Sequence, residues 1–333
     1  MKKIFIIFAF ILFAMQGVLA QDNTAPILYS TQNILGREKT DKAQIKELFE
    51  NLNKYSNEHN AEAIKAFYSK DYISYDGFNY DAFFASVDET FKSYPDISYK
   101  SKIKSINIIG NWASVELVDI TTSEKQAATQ AIINNQPVLN KEIKGVMESR
   151  CHYITYLRKL GNKWQIYSDN IITEETAIKY GKAAEIEMDI SSPLIAKEGE
   201  EYCISLNIKN KPQGALMLAS LSREEIKYPP STPVDKFRKI PSDGTLERVV
   251  RANKKGANEY SMASVGITEI SLNEEKTAIN YEMSGIAFLM KRVNVYGERN
   301  AVDKKYLKEK FEKAESKAKE KAAEEKANRG KDL

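Results

Sequence analysis

From Ile4 to Met15 the chain is almost purely apolar, with Lys2 and Lys3 before it and Gly17-Val18-Leu19-Ala20 after it. A basic start, a short apolar run and a small-residue close are the three parts of a cleavable export signal. The run is shorter than the roughly 20 residues a spanning helix needs. Polar Gln16 and the stretch Gln21 to Thr24 close it off, so cleavage after Ala20 is expected and the mature chain begins near Gln21. Residues 21–40, with Pro26 and Gly36, read as an irregular lead-in. From Asp41 the period becomes helical: Ile45, Leu48, Phe49, Leu52 and Tyr55 recur every three or four residues and make one apolar stripe. A second short helix is expected from Ala61 to Tyr68, then a short strand from Tyr72 to Tyr75 closed by the turn pair Asp76-Gly77. A third helix carries Phe83, Phe84, Val87 and Phe91 and stops at Pro95.

Beyond Pro95 the period switches to two. Strands are expected from Ser98 to Ile109, Trp112 to Thr122, Val146 to Leu160 and Lys163 to Ile172, with turns at Gly110-Asn111 and Gly161-Asn162. The Gln, Ala and Asn-rich stretch from Ser123 to Lys144 reads as a long polar hairpin connection, and Glu174 to Gly181 as a last short helix. Helices followed by a twisted antiparallel sheet give an α+β domain over 41–183, a cone-shaped arrangement of three helices on a curved sheet. Past Ala184, alternating runs separated by Pro, Gly, Asn and Lys clusters predict an all-β, immunoglobulin-like sandwich over 184–298. In the tail, 299–333, Leu307, Phe311, Ala314 and Ala318 keep helical spacing among dense mixed charges, so a charged helical tail is expected.

Charge narrows the function classes. Lys and Arg total 49 against 46 Asp and Glu, and two of the lysines fall in the export segment. A mature chain so close to neutral has no global field to gather nucleic acid. No later run is apolar enough to span a membrane, and no cysteine stands at the cleavage site for lipidation. The expected location is therefore periplasmic or extracellular, and the Lys, Ile and Asn-rich usage suggests a bacterium. Cys151 and Cys203 could form one disulfide between the two domains, although each sits in a strand pattern where a lone cysteine serves as a small hydrophobe. With His59 and His152 as the only histidines and no Cys-x-x-Cys spacing, no metal site is expected. No phosphate loop, Gly-x-Ser-x-Gly elbow or zinc-protease signature occurs, and no cofactor is expected.

The run NAEAIKAFYSKDYISYDG (Asn60 to Gly77) and the pair YITYLRKLGNKWQIYSDN (Tyr153 to Asn170) resemble the nuclear transport factor 2-like superfamily, which includes the SnoaL-like and ketosteroid isomerase-like proteins. The likeness runs from about Thr40 to Gly181. It implies a pocket between sheet and helices, for which Tyr75, Asp76, Tyr153, Thr155 and Asp169 are the candidates. It also implies that Asp76, just after the first short strand, occupies the place of the general base in the isomerases. The other two catalytic places do not match, since Leu52 stands where those enzymes have an oxyanion-binding tyrosine and Thr155 where they have a protonated acid. Tyr55, one helical turn from Leu52, is the candidate substitute donor, although a tyrosine on an apolar stripe is usually core. Asp169 is also placed to pair with His152 across the hairpin.

A fold match without its catalytic set points first to an exported, non-catalytic binding or scaffold protein, taking a small apolar ligand or a protein partner, with a homodimer also open. The alternative is a cofactor-free isomerase, cyclase or hydrolase using Asp76 as base.

Overall fold

A computed structural model describes residues 24–124, 132–133, 136–137, 145–212, 214–227, 236–272 and 279–297. The expected export signal and the expected charged helical tail lie outside these residues. Contacts divide the chain into two compact units, Met1–Glu50 and Asn51–Leu333.

The first unit holds most of helix α1, Thr24–Asn57, which starts well before the expected Asp41. Pro26 stands in its first turn, where a missing N–H costs no helical hydrogen bond, so the lead-in continues into the helix instead of breaking before it. Ile45, Leu48 and Phe49 of the predicted stripe are buried.

In the second unit, the end of α1 is followed by α2 (Ala61–Lys65) and α3 (Tyr80–Ser93), each capped by an asparagine, Asn60 and Asn79. Strands β1 (Ser98–Ile109), β2 (Trp112–Ser123), β5 (Gly145–Leu160) and β6 (Lys163–Gly181) form an antiparallel meander, the first three near the predicted bounds. Between β2 and β5 lies a small hairpin, β3 (Ile132–Ile133) with β4 (Gln136–Pro137). Asn57 fastens the end of α1 to the sheet edge, since its side-chain oxygen accepts from Tyr99 N at 2.9 Å and its amide donates to Tyr99 O at 3.0 Å.

The main departure from expectation is at Glu174 to Gly181, which is strand rather than helix. These residues pair on one side with β5 (Gly145↔Tyr180 to Cys151↔Glu174) and on the other with β14, Ile279–Tyr296 (Gly285↔Gly181 to Lys291↔Glu175). Two ladders of backbone hydrogen bonds override a weak local helix preference. Through β14 the sheet continues into β13 (Glu259–Leu272), β10 (Ala215–Glu225) and β11 (Arg238–Lys239), in the order β1-β2-β5-β6-β14-β13-β10-β11. The short β8 (Ile195–Lys197) runs parallel to the end of β14.

A second, three-stranded sheet, β12-β9-β7, contains β7 (Met188–Ser191), β9 (Glu201–Ile208) and β12 (Thr245–Arg251). Its inward residues Tyr202, Ile204, Leu206 and Ile208 share one core with Met217, Ala219, Val265, Ile267, Ala287 and Leu289 of the large sheet. The C-terminal half is thus a β domain in two layers. It departs from a free-standing immunoglobulin-like sandwich, because one layer is an extension of the N-terminal sheet and the expected boundary at 183/184 adjoins an unbroken ladder.

The chain leaves that ladder at Gly181, whose φ of 55° lies in the left-handed region. A Cβ there would meet the Ser284 carbonyl oxygen. Gly181→Ala is therefore expected to cost about 1–3 kcal/mol, combining the backbone penalty with a clash against β14. Urea unfolding of the protein, compared with an exposed control such as Gly110→Ala, measures the difference due to Ser284.

Candidate functional site

The site begins with a stretch too irregular to be a full strand. After α2, Tyr68 bridges Ile166 in parallel, Ile73 N donates to Tyr167 O at 3.2 Å and Tyr75 N donates to Asp169 O at 2.8 Å. The chain is thus laid along β6 in extended form, and its side chains alternate. Tyr72 and Ser74 are buried, whereas Ile73 is 50% and Tyr75 59% exposed. Tyr75 therefore points to solvent and is not a pocket residue. Asp76, one position on, returns inward.

At the turn, Phe78 N donates to Ser74 Oγ at 3.0 Å and Asn79 supplies the cap of α3. Asp76 has no capping role to play. Its carboxylate meets Arg292 of β14 face to face: Nη1 donates to Oδ2 at 2.9 Å and Nη2 to Oδ1 at 2.7 Å. Asn258 Nδ2 adds a third donor, to Oδ1 at 2.8 Å. The Arg292 side chain is fully buried and that of Asp76 nearly so. Around this pair Arg292 Nε donates to Asn294 Oδ1 at 2.8 Å, and Asn294 Nδ2 donates to Ile172 O of β6 at 2.8 Å. Val295 N donates to Asn258 Oδ1 at 3.0 Å. A charged pair so removed from water persists only with this degree of hydrogen bonding.

Beside the pair lies a pocket of about 320 Å³ between the N-terminal segment and the β domain. Phe78, Phe83, Ile171, Ile226, Met262 and Met290 give it apolar walls, and Tyr72, Asp169, Glu174 and Tyr260 give it polar ones. Its size falls within the range of small-molecule sites. The tyrosines and acids are paired. Tyr72 donates its hydroxyl proton to Asp169, and Tyr260 OH donates to Glu174 Oε2 at 2.7 Å. Burial pushes the Asp169 carboxyl up to about 6, with the Asp76 charge adding to the rise and the Tyr72 bond and Arg292 opposing it. Burial likewise raises Glu174 above the usual range, against the Tyr260 bond and Arg292.

Other candidates lie elsewhere. Tyr153 OH donates to Asp119 Oδ2 at 2.8 Å on the inward face of the sheet, and neither it nor the buried Thr155 lines the pocket. Tyr55 stacks on Phe67 with ring centroids 6.0 Å apart and does not line the pocket, which makes it packing rather than a donor. His152 does not reach Asp169. It faces the other side of the sheet, where Nε2 lies 2.9 Å from Glu116 Oε1, and that bond, with one from Ser105, holds Glu116 below the usual carboxylate range. Cys151 and Cys203 are free thiols. One sits on β5 between Asp119 of β2 and Glu174 of β6, the other on the exposed face of β9 opposite Val249, so they belong to different sheets.

Of the residues that make the site, sequence reading missed Arg292, Asn258, Glu174, Tyr260 and Tyr72. Arg292 did leave a signal: in Leu289-Met290-Lys291-Arg292-Val293 two charges stand next to each other in an alternating apolar run, so one of them had to point inward.

No family model matches the chain, and no curated protein does. Solved structures do resemble part of it. A protein from Planctomyces limnophilus is 13% identical over 39% of this chain and 94% of its own, with a TM-score of 0.32. A proposed scytalone dehydratase from Novosphingobium aromaticivorans is 12% identical over 40% of this chain and 84% of its own, at 0.31. A proposed dehydratase of the NTF2-like family from Streptomyces avermitilis is 11% identical over 39% and 94%, at 0.28. At these scores the likeness carries no conclusion about activity.

Two outcomes follow from the site. Asp76→Leu or Arg292→Met alone leaves one buried charge unpaired and is expected to cost roughly 3–5 kcal/mol, whereas the double variant recovers much of that loss. A double-mutant cycle by urea unfolding reads the coupling directly. The second outcome concerns pH. Asp169 has a folded pKa near 6 and an unfolded value near 3.8, so between those values the folded chain holds the extra proton. Its contribution to stability is fully present below about pH 4, is lost as pH rises through about 6, and amounts to about 3 kcal/mol. Asp169→Asn should flatten the unfolding curve across that window.

Proposed function

We propose that this chain is an exported, non-catalytic binding protein whose pocket holds a small, largely apolar molecule. The observation that carries the reading is the state of Asp76. Both of its oxygens are occupied by Arg292 and Asn258, so the one acid placed where a general base is expected is committed to joining the two halves of the molecule. A base that must abandon a buried bidentate partner before accepting a proton is poorly suited to proton transfer. The apolar walls and paired polar groups of the pocket suit retention of a ligand. Export rests on the first 20 residues, whose pattern is that of a cleaved signal.

A second reading has one observation in its favour. Asp169, with its carboxyl pushed up to about 6 and facing the pocket, is the group that could exchange protons near neutral pH, so a cofactor-free isomerase, cyclase or hydrolase would work through Asp169 and not Asp76.

Native mass spectrometry of the protein taken from the periplasm or culture fluid of its own host tests the first reading. A retained small molecule that is lost in Met290→Trp, which fills the pocket, is the expected result. A bare chain with an intact fold, or protein found only in the cytoplasm, counts against it.

A further inference from the structure

The pocket's walls differ sharply in charge from the near-neutral chain as a whole. Apolar side chains make the larger part of its surface, but its ionisable lining is acidic: Asp76, Asp169, Glu174, Glu224 and Glu225 against Lys227. Some of these acids are answered within the fold. Arg292 spends both terminal nitrogens on Asp76, and Lys255 lies 3.2 Å from Glu225. Asp169 and Glu174 are not matched in this way. Each receives a neutral tyrosine hydroxyl on one oxygen, and no cation forms an ion pair with either among the described residues. Both are held on β6 with backbone on either side, so they cannot swing out to water as a surface glutamate does.

We propose that the ligand is an amphiphilic cation, with an ammonium or guanidinium head received by Asp169 and Glu174 and an apolar body lying on Phe78, Phe83, Met262 and Met290. The inference rests on the binding reading and specifies its ligand. Buried carboxylates without a cationic partner are costly, and a cationic head is the group whose arrival removes that cost. Apolar flanks raise the strength of the contact by excluding water, and a methionine pair adapts to the shape of the body.

Proton linkage gives the inference a signature. The groups facing Asp169 are Tyr72, Asp76, Tyr68 and Cys151 together with Arg292, and those facing Glu174 are Tyr260, Asp76, Cys151 and Arg292. Arg292 is the cation in both sets, and it is engaged by Asp76. Burial favours the protonated form of both acids, pushing Asp169 up to about 6 and raising Glu174 above the usual carboxylate range. A cationic head draws their pKa values down, so its binding releases protons and strengthens as pH rises through about 6.

Isothermal titration of the mature chain with 4-phenylbutylamine, 4-phenylbutanol and 4-phenylbutanoate separates the possibilities. At pH 7.5 the amine is expected to bind about tenfold or more tightly than the alcohol, with the carboxylate weakest. Amine binding should weaken severalfold at pH 5 and release protons, seen as a heat that differs between buffers of different ionisation enthalpy. Asp169→Asn and Glu174→Gln, which keep the tyrosine bonds, should each cost the amine about tenfold and leave the alcohol unchanged. If the alcohol or the carboxylate binds as well as the amine, the cation inference is overturned while the pocket reading stands. If none of the three binds to folded protein, both fall.

Discussion

The bidentate contact between Asp76 and Arg292 is the interaction on which the rest of the molecule depends. It spans 216 positions in sequence and joins the turn before α3 to the strand that ends the β domain. Each member removed from water by itself would be a severe cost, and together, with Asn258 and Asn294 filling the remaining hydrogen-bonding positions, they tolerate complete burial. Because Asn294 also holds the backbone of β6 and Asn258 that of β14, the cluster ties these two strands to the N-terminal turn.

The second constraint is the length of β6. Had it ended near Ile172, the N-terminal meander would have an exposed edge and the β domain would need a separate one, each an invitation to unwanted pairing. By running on to Gly181 it gives its outer edge to β14, and one sheet serves both halves. The same continuation carries Glu174 into the pocket wall and places Lys291 against Glu175 at 2.5 Å on the opposite face of the sheet. Architecture and site chemistry thus share a cause.

Within the pocket, acids outnumber bases, and tyrosines do the work of neutral donors. Tyr72 and Tyr260 each satisfy one oxygen of a buried carboxyl without cancelling its charge, which leaves those carboxyls sensitive to whatever enters. Asp119 with Tyr153 repeats the arrangement deeper on the same face of the sheet, again with the acid raised by burial. Repeated acid and tyrosine pairs give the interior of the N-terminal half a polar lining that a purely hydrophobic core would lack.

Periodicity in the sequence determined much of this protein by itself. The apolar stripe of α1, the aromatic stripe of α3 and the strands of the N-terminal meander follow from local spacing, and β1, β2 and β5 lie within a residue of their expected bounds. Asp76 and Asp169 were among the five pocket candidates that the family resemblance implied, and these two do line the pocket. Local pattern could not assign their partners, because a salt bridge or a strand ladder is a fact about two segments brought together, and neither segment alone carries the other's address. Glu174 to Gly181 shows this most clearly: its own composition favours a helical turn, and only the arrival of β14 on one side and β5 on the other makes it a strand. Asp76 shows it in chemistry. In sequence it is an acid at a turn, free to be a base or a cap, and only the tertiary placement of Arg292, by supplying a buried cation that water can no longer screen, made it a structural clasp.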